Sequence, residues 1–319
     1  MTESRGEREV AERIARGAFV LLDKPRGPSS HQVTAWARDL LGVPLAGHAG
    51  TLDPNVSGVL WVGVGPALKL VPLVLEFPKR YVGVVTFHGP VDSRRLSEIL
   101  GEFTAPIFQT PPVRSAVKRE RRVRTIHRLE AVEADPPRVV LDITADSGTY
   151  VRTLAVDLGE ATGAGAHLEE LRRISTGPFD EREAVTLTEL TDARAALAEG
   201  DARPLLGLLH PAERVWAEFP TIVLKDAAAS AVAHGAGLAA GGIASVARPF
   251  PVGAKVVLLS RERELLATGV ALRDASELAR RSPGWVVGGM RVFVEPARFP
   301  PLWKHKGAPA TAGGAPSDG

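Results

Sequence analysis

The chain has 319 residues, enough for roughly two domains, and its 45% hydrophobic and 24% charged content is that of a globular protein, not a disordered one. The absence of cysteine excludes zinc-finger, iron–sulfur, thiol-nucleophile and dithiol redox chemistry in one step. The eight histidines form no His-x-His or His-Glu-x-x-His pair that would hold a transition metal.

The formal net charge of +2 conceals a bias, because 31 of the 39 basic residues are arginine. Asparagine occurs once (Asn55) and glutamine twice (Gln32, Gln109), a scarcity found in thermophiles. A GC-rich genome would give the same arginine and alanine excess, and both readings stand. The N-terminal MTESRGEREVAERIARG lacks the apolar core of a signal peptide, and no run approaches the ~18 apolar residues of a membrane span. A soluble, cytoplasmic protein is expected, with no membrane partner.

In chain order, the charged arm is followed by AFVLLD (18–23), a buried strand ending at Lys-Pro. Ser29 or Ser30 offers an N-cap for a helix with Val33, Trp36, Ala37, Leu40 and Leu41 on one face, closed by Gly42. The segment 47–58 is glycine-rich and turn-prone, and 59–64 is the next strand. Further strands are predicted at 80–87, 126–132 and 138–144, the last two joined by a turn at Pro136-Pro137. Helices are predicted at 96–103 and 150–162. Strands and helices mix without regular alternation, which favours an α+β fold over a doubly wound sheet. A boundary falls near 211–220. Beyond it, short strands at 255–259, 265–272 and 291–295 suit a small β-barrel. From Lys304 onward the composition is that of a disordered tail.

The sharpest local signal is GHAGTLDPNVSG (47–58), where three glycines and a proline bracket Asp53. Such a backbone turns tightly and presents a carboxylate on a loop, although an Asp-Pro pair that merely starts a turn has the same spacing. The segment is no phosphate loop, since no Gly-Lys-Ser/Thr follows. Residues 114–128 (RSAVKRERRVRTIHR) carry seven Lys or Arg and one Glu. Their mutual repulsion calls for a polyanion, so nucleic acid is the expected partner. The only two tyrosines are Tyr81, opening a strand, and Tyr150, two residues before Arg152. Half-buried core positions suit both. Arg152 gains a chemical role only if the fold brings it to a carboxylate, where it would fix the orientation of that group.

Five segments occur in order: DKPRGPSSHQV (23–33), GHAGTLDPNVSGVL (47–60), PPVRSAVKR (111–119), SGTYVRTLAVDLG (147–159) and HLEELRRISTGPF (167–179). Together they resemble the successive motifs of the TruB/dyskerin family of RNA pseudouridine synthases. FPTIVLKDAAASAVAHGAGLAAGGIASV (219–246) resembles the start of a PUA domain, the small RNA-binding barrel appended in that family. The resemblance covers about residues 18–300. The compact arginine-rich stretch, the HGAGLAAGGIASV segment and the charged arm look most like the archaeal H/ACA ribonucleoprotein catalytic subunit.

The resemblance implies a catalytic domain over 18–211, a mixed, mostly antiparallel sheet flanked by helices. It also implies a PUA β-barrel over 212–303, with the arm 1–17 packed on the barrel and 304–319 as the tail. Residue by residue, Asp53 matches the catalytic aspartate, Tyr81 the tyrosine that stacks on the target base, and Arg152 the arginine paired with the carboxylate. Tyr150 and Leu171 match the pocket wall, and Lys24 and His48, grouped with the substrate-binding residues, match motif positions near the RNA or the fold of the catalytic loop. Arg114, Lys118, Arg119, Arg121, Arg122 and Arg124 are the expected RNA contacts. Ala49 departs from the family, which has Ser or Thr between His and Gly. No cofactor or metal is implied. The implied activity is isomerisation of uridine to pseudouridine in rRNA and tRNA, with an H/ACA guide RNA and small H/ACA core proteins as partners. A stand-alone enzyme acting on the tRNA T-loop, or an idle RNA-binding scaffold, are the alternatives.

Overall fold

The computed structural model describes residues 4–111, 120–280 and 284–302. Two compact units divide between Val215 and Trp216, four residues beyond the expected division at 211/212. The expected tail, 304–319, lies outside the described residues. Among the described residues no helix is long and apolar enough to cross a membrane.

The first unit is built on β1 (Ala18–Lys24), β2 (Ala46–Ala49), β3 (Ser57–Val64), β4 (Lys79–Phe87), β5 (Pro106–Gln109), β6 (Arg122–Asp135), β7 (Arg138–Ala145), β8 (Ala166–Thr176), β9 (Phe179–Asp180) and β10 (His210–Pro211). They form one sheet in the order β10-β1-β3-β8-β4-β7-β6-β5, with β2 also on β3 and β9 on β8. Among the described strands of this sheet, only β3 and β8 pair in parallel, at Ser57↔Arg172 and Gly58↔Arg173. The sheet is mixed and mostly antiparallel, as expected.

The helices are α1 (Arg5–Arg16), α2 (Ser30–Leu41), α3 (Val71–Glu76), α4 (Ser93–Phe103), α5 (Val151–Thr162), α6 (Leu187–Ala198), α7 (Arg203–Leu208) and a turn-length α8 (Glu213–Trp216). α2 starts where its sequence says it should: Ser29 and Gln32 form a capping box, and Gly42 closes it in the left-handed conformation. Its buried stripe is Ser30, Val33, Thr34, Ala37 and Leu41, which leaves Trp36 46% exposed instead of in the core.

Apolar clusters pack on the sheet, and Phe19, also buried, packs against the buried Trp61 and Phe179. Val20 and Leu22 of β1 and Leu60 and Val62 of β3 pack with Val33, Leu190, Leu197 and Leu205 from α2, α6 and α7. Farther along, Val85, Leu141 and Ile143 pack with Ile99, Leu100, Leu154 and Leu158 from α4 and α5. The arm, expected on the second domain, forms α1 and buries Val10 in the cluster around β1 and β3. Arg13 Nη1 donates to Leu209 O at 3.0 Å, a further contact of the arm within the first unit. An amphipathic helix has an apolar face to cover, and β1 lies one residue away to cover it.

The second unit comprises β11 (Thr221–Leu224), α9 (Asp226–Ala233), β12 (Leu238–Ala239), β13 (Ile243–Val246), β14 (Lys255–Leu259), β15 (Leu265–Ala271) and β16 (Trp285–Val292). The order β12-β16-β15-β14-β11-β13 surrounds a core of Ile222, Val232, Phe250, Leu258, Leu266 and Val286. The strand expected at 291–295 starts at Trp285 instead. Gly288-Gly289 reads as a turn in sequence, but the strand runs through it, and its register with β15 shifts there.

Gly58 sits at the parallel junction with φ +103°, and a Cβ on it would collide with the carbonyl oxygen of Arg173. Gly58→Ala is expected to destabilise the first unit by at least ~2 kcal/mol, combining left-handed strain with loss of strand approach. Urea unfolding of the variant beside the parent chain measures this.

Candidate active site

The loop joining β2 to β3 carries Asp53, and it has no ladder partners of its own. Ser30, wholly buried at the start of α2, clamps it from below: Ser30 Oγ donates to Leu52 O at 3.0 Å and accepts from Leu52 N at 2.9 Å. Lys24, expected among the substrate-binding residues, is 0% exposed. Its ammonium donates to Pro25 O, Pro28 O and Pro54 O, so all three of its protons hold backbone and none is available to a substrate. Burial lowers the Lys24 pKa, opposed by the nearby Asp53 charge. Gly27 N also donates to Pro54 O, and Val56 N to Asp53 O.

His48 fixes the other end of the loop. Thr34 Oγ1 donates to Ser30 O at 2.7 Å, so towards His48 Nδ1, 3.1 Å away, it can only accept. That places the proton on Nδ1 and leaves Nε2 to accept from Thr51 Oγ1 at 3.2 Å. Burial, then His31 and Arg173, lower the His48 pKa, which keeps this neutral tautomer.

Arg152 arrives from the first turn of α5. The amide of Gln109, itself buried, holds Tyr150 on both sides: Tyr150 N donates to Oε1 at 2.9 Å and Nε2 donates to Tyr150 O at 3.2 Å. Arg152 Nη2 then lies 2.9 Å from Asp53 Oδ2. With the two side chains 45% and 49% exposed, the pair adds only about 0–1 kcal/mol to stability. Its value lies in aiming a carboxylate, and it strengthens once a ligand excludes water.

Tyr81 on β4 and Leu171 on β8 lie on the same face of the sheet, packed at the edge of the α4–α5 core. Tyr81 pairs across the strands with Arg173, and Leu171 with Gly83, where a Cβ would stand 3.0 Å from Leu171 Cδ1. Arg173 is buried beside Tyr81 and donates to Gly50 O (2.8 Å) and Val59 O (2.7 Å). The expected site residues Asp53, Arg152, Tyr150, Tyr81 and Leu171 are thus brought to one region by the β2–β3 loop, α5, β4 and β8. Ser30, Gln109 and Arg173 were not among the expected site residues. Gln109 being one of two glutamines in the chain is a signal that could have singled it out.

Of the expected RNA contacts, Arg114, Lys118 and Arg119 lie outside the described residues. Arg121 stacks 4.3 Å over the exposed Phe108 ring. Arg122 and Arg124 begin β6, and Arg124 lies over Gly148, beside Tyr150. Among the described residues none of these three arginines pairs with a carboxylate. Most other arginines do, as in Arg80–Asp142, Arg138–Glu169 and Arg172–Asp23.

The His48 tautomer has a pH consequence. Its folded pKa lies below the unfolded value of 6.5, so the unfolded chain binds the extra proton as pH falls through 6.5 and stability is lost there. Thermal melting at pH 7.5 and 5.5 is expected to show a drop for the parent chain and a smaller one for His48→Asn, which keeps a side-chain donor but does not titrate.

Comparison with known proteins places this geometry. Residues 38–151 match the N-terminal domain of TruB family pseudouridylate synthases, 152–216 the C-terminal domain of tRNA pseudouridylate synthase B, and 220–288 the PUA domain. A protein of Methanothermobacter thermautotrophicus named "Probable tRNA pseudouridine synthase B" is 44% identical over 299 residues, 93% of this chain and 92% of its own length. Another so named, from Pyrobaculum arsenaticum, is 43% identical over 296 residues, 92% of this chain and 89% of its own. Among solved structures, a chain of a Cbf5-Nop10-Gar1 complex superposes with a TM-score of 0.83 at 36% identity, over 91% of this chain and 89% of that one. A chain of an H/ACA RNP bound to substrate RNA gives 0.80 at 34% identity, over 94% and 92%. With this identity sustained over nearly the full length of both chains, the protein belongs to the TruB family of pseudouridine synthases, with a PUA domain following the synthase domains.

Proposed function

We propose that the chain isomerises uridine to pseudouridine in RNA as the catalytic subunit of an H/ACA guide ribonucleoprotein, acting on rRNA and also on tRNA. The observation that carries the site assignment is the Asp53–Arg152 pair, 2.9 Å long, half open to solvent and held on a loop whose backbone is braced from beneath. The reaction breaks the glycosidic bond, turns the uracil and rejoins it through carbon. A stacked uridine offers no access for this, so the nucleotide is flipped into the site. Tyr81 presents a ring to the base and Leu171 an apolar wall, with Tyr150 beside them. Asp53 supplies the carboxylate that acts on the nucleoside as nucleophile or base, and Arg152 fixes its direction. His48 sets the loop through Thr51.

Arg121, Arg122 and Arg124, together with Arg114, Lys118 and Arg119, bind the phosphates of the strand that enters. The guide-dependent reading is supported by the fold shared with the Cbf5 chain of the complex with Nop10 and Gar1, and with the H/ACA RNP bound to substrate RNA. Small H/ACA core proteins and a guide RNA are the corresponding partners here. The names of the curated relatives favour a second reading, a guide-free enzyme for tRNA.

Asp53→Asn is expected to retain fold and RNA binding and to yield no pseudouridine, and Arg152→Ala to lower kcat about 10²-fold or more. Product from the Asp53 variant would overturn the site. Assays on rRNA and tRNA substrates, with and without guide RNA and core proteins, separate the two readings: modification of rRNA only when the guide is present supports the first, and full tRNA activity of the chain alone the second. Replacing Arg121, Arg122 and Arg124 with Glu is expected to weaken RNA binding and flatten its log–log salt dependence by roughly 0.7 for each phosphate no longer neutralised. A slope equal to that of the parent chain would count against a phosphate-binding role.

A further inference from the structure

We propose that Arg173 is a positioning residue that keeps the Tyr81 side chain and the Asp53 loop in register through one buried guanidinium. The inference rests on the reading above that Tyr81 and Asp53 meet the nucleoside. Arg173 is 1% exposed, and among the described residues no carboxylate pairs with it. A buried cation without a counter-charge is costly, so its hydrogen bonds matter. One goes to Gly50 O, at the start of the Asp53 loop, and one to Val59 O, at its end, while Tyr81 is its cross-strand partner and lies beside it on the same face of the sheet. A planar guanidinium with donors in a fixed fork sets the angle between these groups, which a flexible ammonium does not.

The glycines on either side of the loop make room for this residue. A Cβ on Gly50 would stand 3.1 Å from Arg173 Nη1, and one on Gly58 would strike the Arg173 backbone. Lys79, buried and donating to Val74 O, Leu75 O and Phe77 O, closes the same space from the α3 side, its Cε 3.7 Å from that same Gly50 Cβ position. The guanidinium is enclosed by backbone and has no route to the substrate. It acts only through what it holds.

The chain has two tyrosines, so labelling with 3-fluorotyrosine gives one 19F resonance for Tyr81 and one for Tyr150. Arg173→Lys is expected to move the Tyr81 resonance and leave that of Tyr150 in place. It should also lower kcat about 10²-fold, with KM for RNA changed less than about threefold, as expected of a group that acts after binding. Its loss and that of Tyr81→Phe should combine to at least tenfold less than their product, because both disturb one cross-strand contact. If the lysine variant fails to fold, Gly50→Ala crowds the same guanidinium and must move the same resonance. An unmoved Tyr81 signal, or losses that simply multiply, would overturn the proposal. Absence of pseudouridine from the unsubstituted chain would instead overturn the reading on which it rests.

Discussion

The two halves of the large sheet meet at a single parallel contact, Ser57 and Gly58 of β3 beside Arg172 and Arg173 of β8. Parallel strands cannot be joined by a hairpin, so more than a hundred residues of chain separate the partners, and nothing local specifies their meeting. The contact is closed by the Arg173 side chain reaching back to Val59 O and Gly50 O. Because the Asp53 loop feeds directly into β3, this junction seats it beside β8. Because α5 feeds into β8 through a short turn, its N-terminus with Arg152 comes to the same place. Tyr81 follows because β4 is the other neighbour of β8.

A loop that presents a carboxylate must satisfy its backbone without a ladder. Here side chains do so. Gly50 O is taken by Arg173, Leu52 N and O by Ser30, and Pro54 O by Lys24 and Gly27 N. Two of these donors, Lys24 and Arg173, are cationic, and both give their protons to carbonyls. The charges of Lys24 and Arg173 are therefore directed inward onto main chain, while Arg152 is the cation left to face Asp53. This division explains how Lys24 stands near Asp53 without pairing with it, while Arg152 does pair.

Charge on the rest of the first unit is arranged in pairs and short ladders. Asp142, with only 4% of its side chain exposed, lies between Arg80 and Arg128, and hydrogen bonding to Arg80 lowers its pKa. Asp23 and Glu181 share Arg172. At the start of β6, Arg121 and Arg122 are exposed and Arg124 is half-buried over Gly148, and among the described residues none of the three meets a carboxylate. A near-neutral total charge thus coexists with a local positive field at the edge of the site, which is how a protein of net charge +2 can address a polyanion.

Much of this was legible in the sequence, wherever the signal is local. The capped helix α2, the strands β1, β3, β4 and β7 and the α+β mixture follow from apolar periodicity and turn residues, and the ordered motifs named the family. β8 was not read as a strand, because AHLEELRRIST alternates poorly: it is covered by neighbours along both edges but has a half-exposed face of charged ladders. The helices α6 and α7 and the strand through Gly288-Gly289 were missed for similar reasons, weak patterning in one case and turn-like residues in the other. The sequence by itself determined which residue types carry the chemistry: one aspartate in a glycine-bracketed loop, two tyrosines, and an arginine at the start of a helix. The tertiary structure alone decided that Lys24 is buried under the loop and not at the surface, that the N-terminal arm caps the first core, and that Ser30, Gln109 and Arg173 brace the site. Those roles depend on pairings between residues tens to more than a hundred positions apart, and such pairings are set by strand order and register, which leave no local mark on the chain.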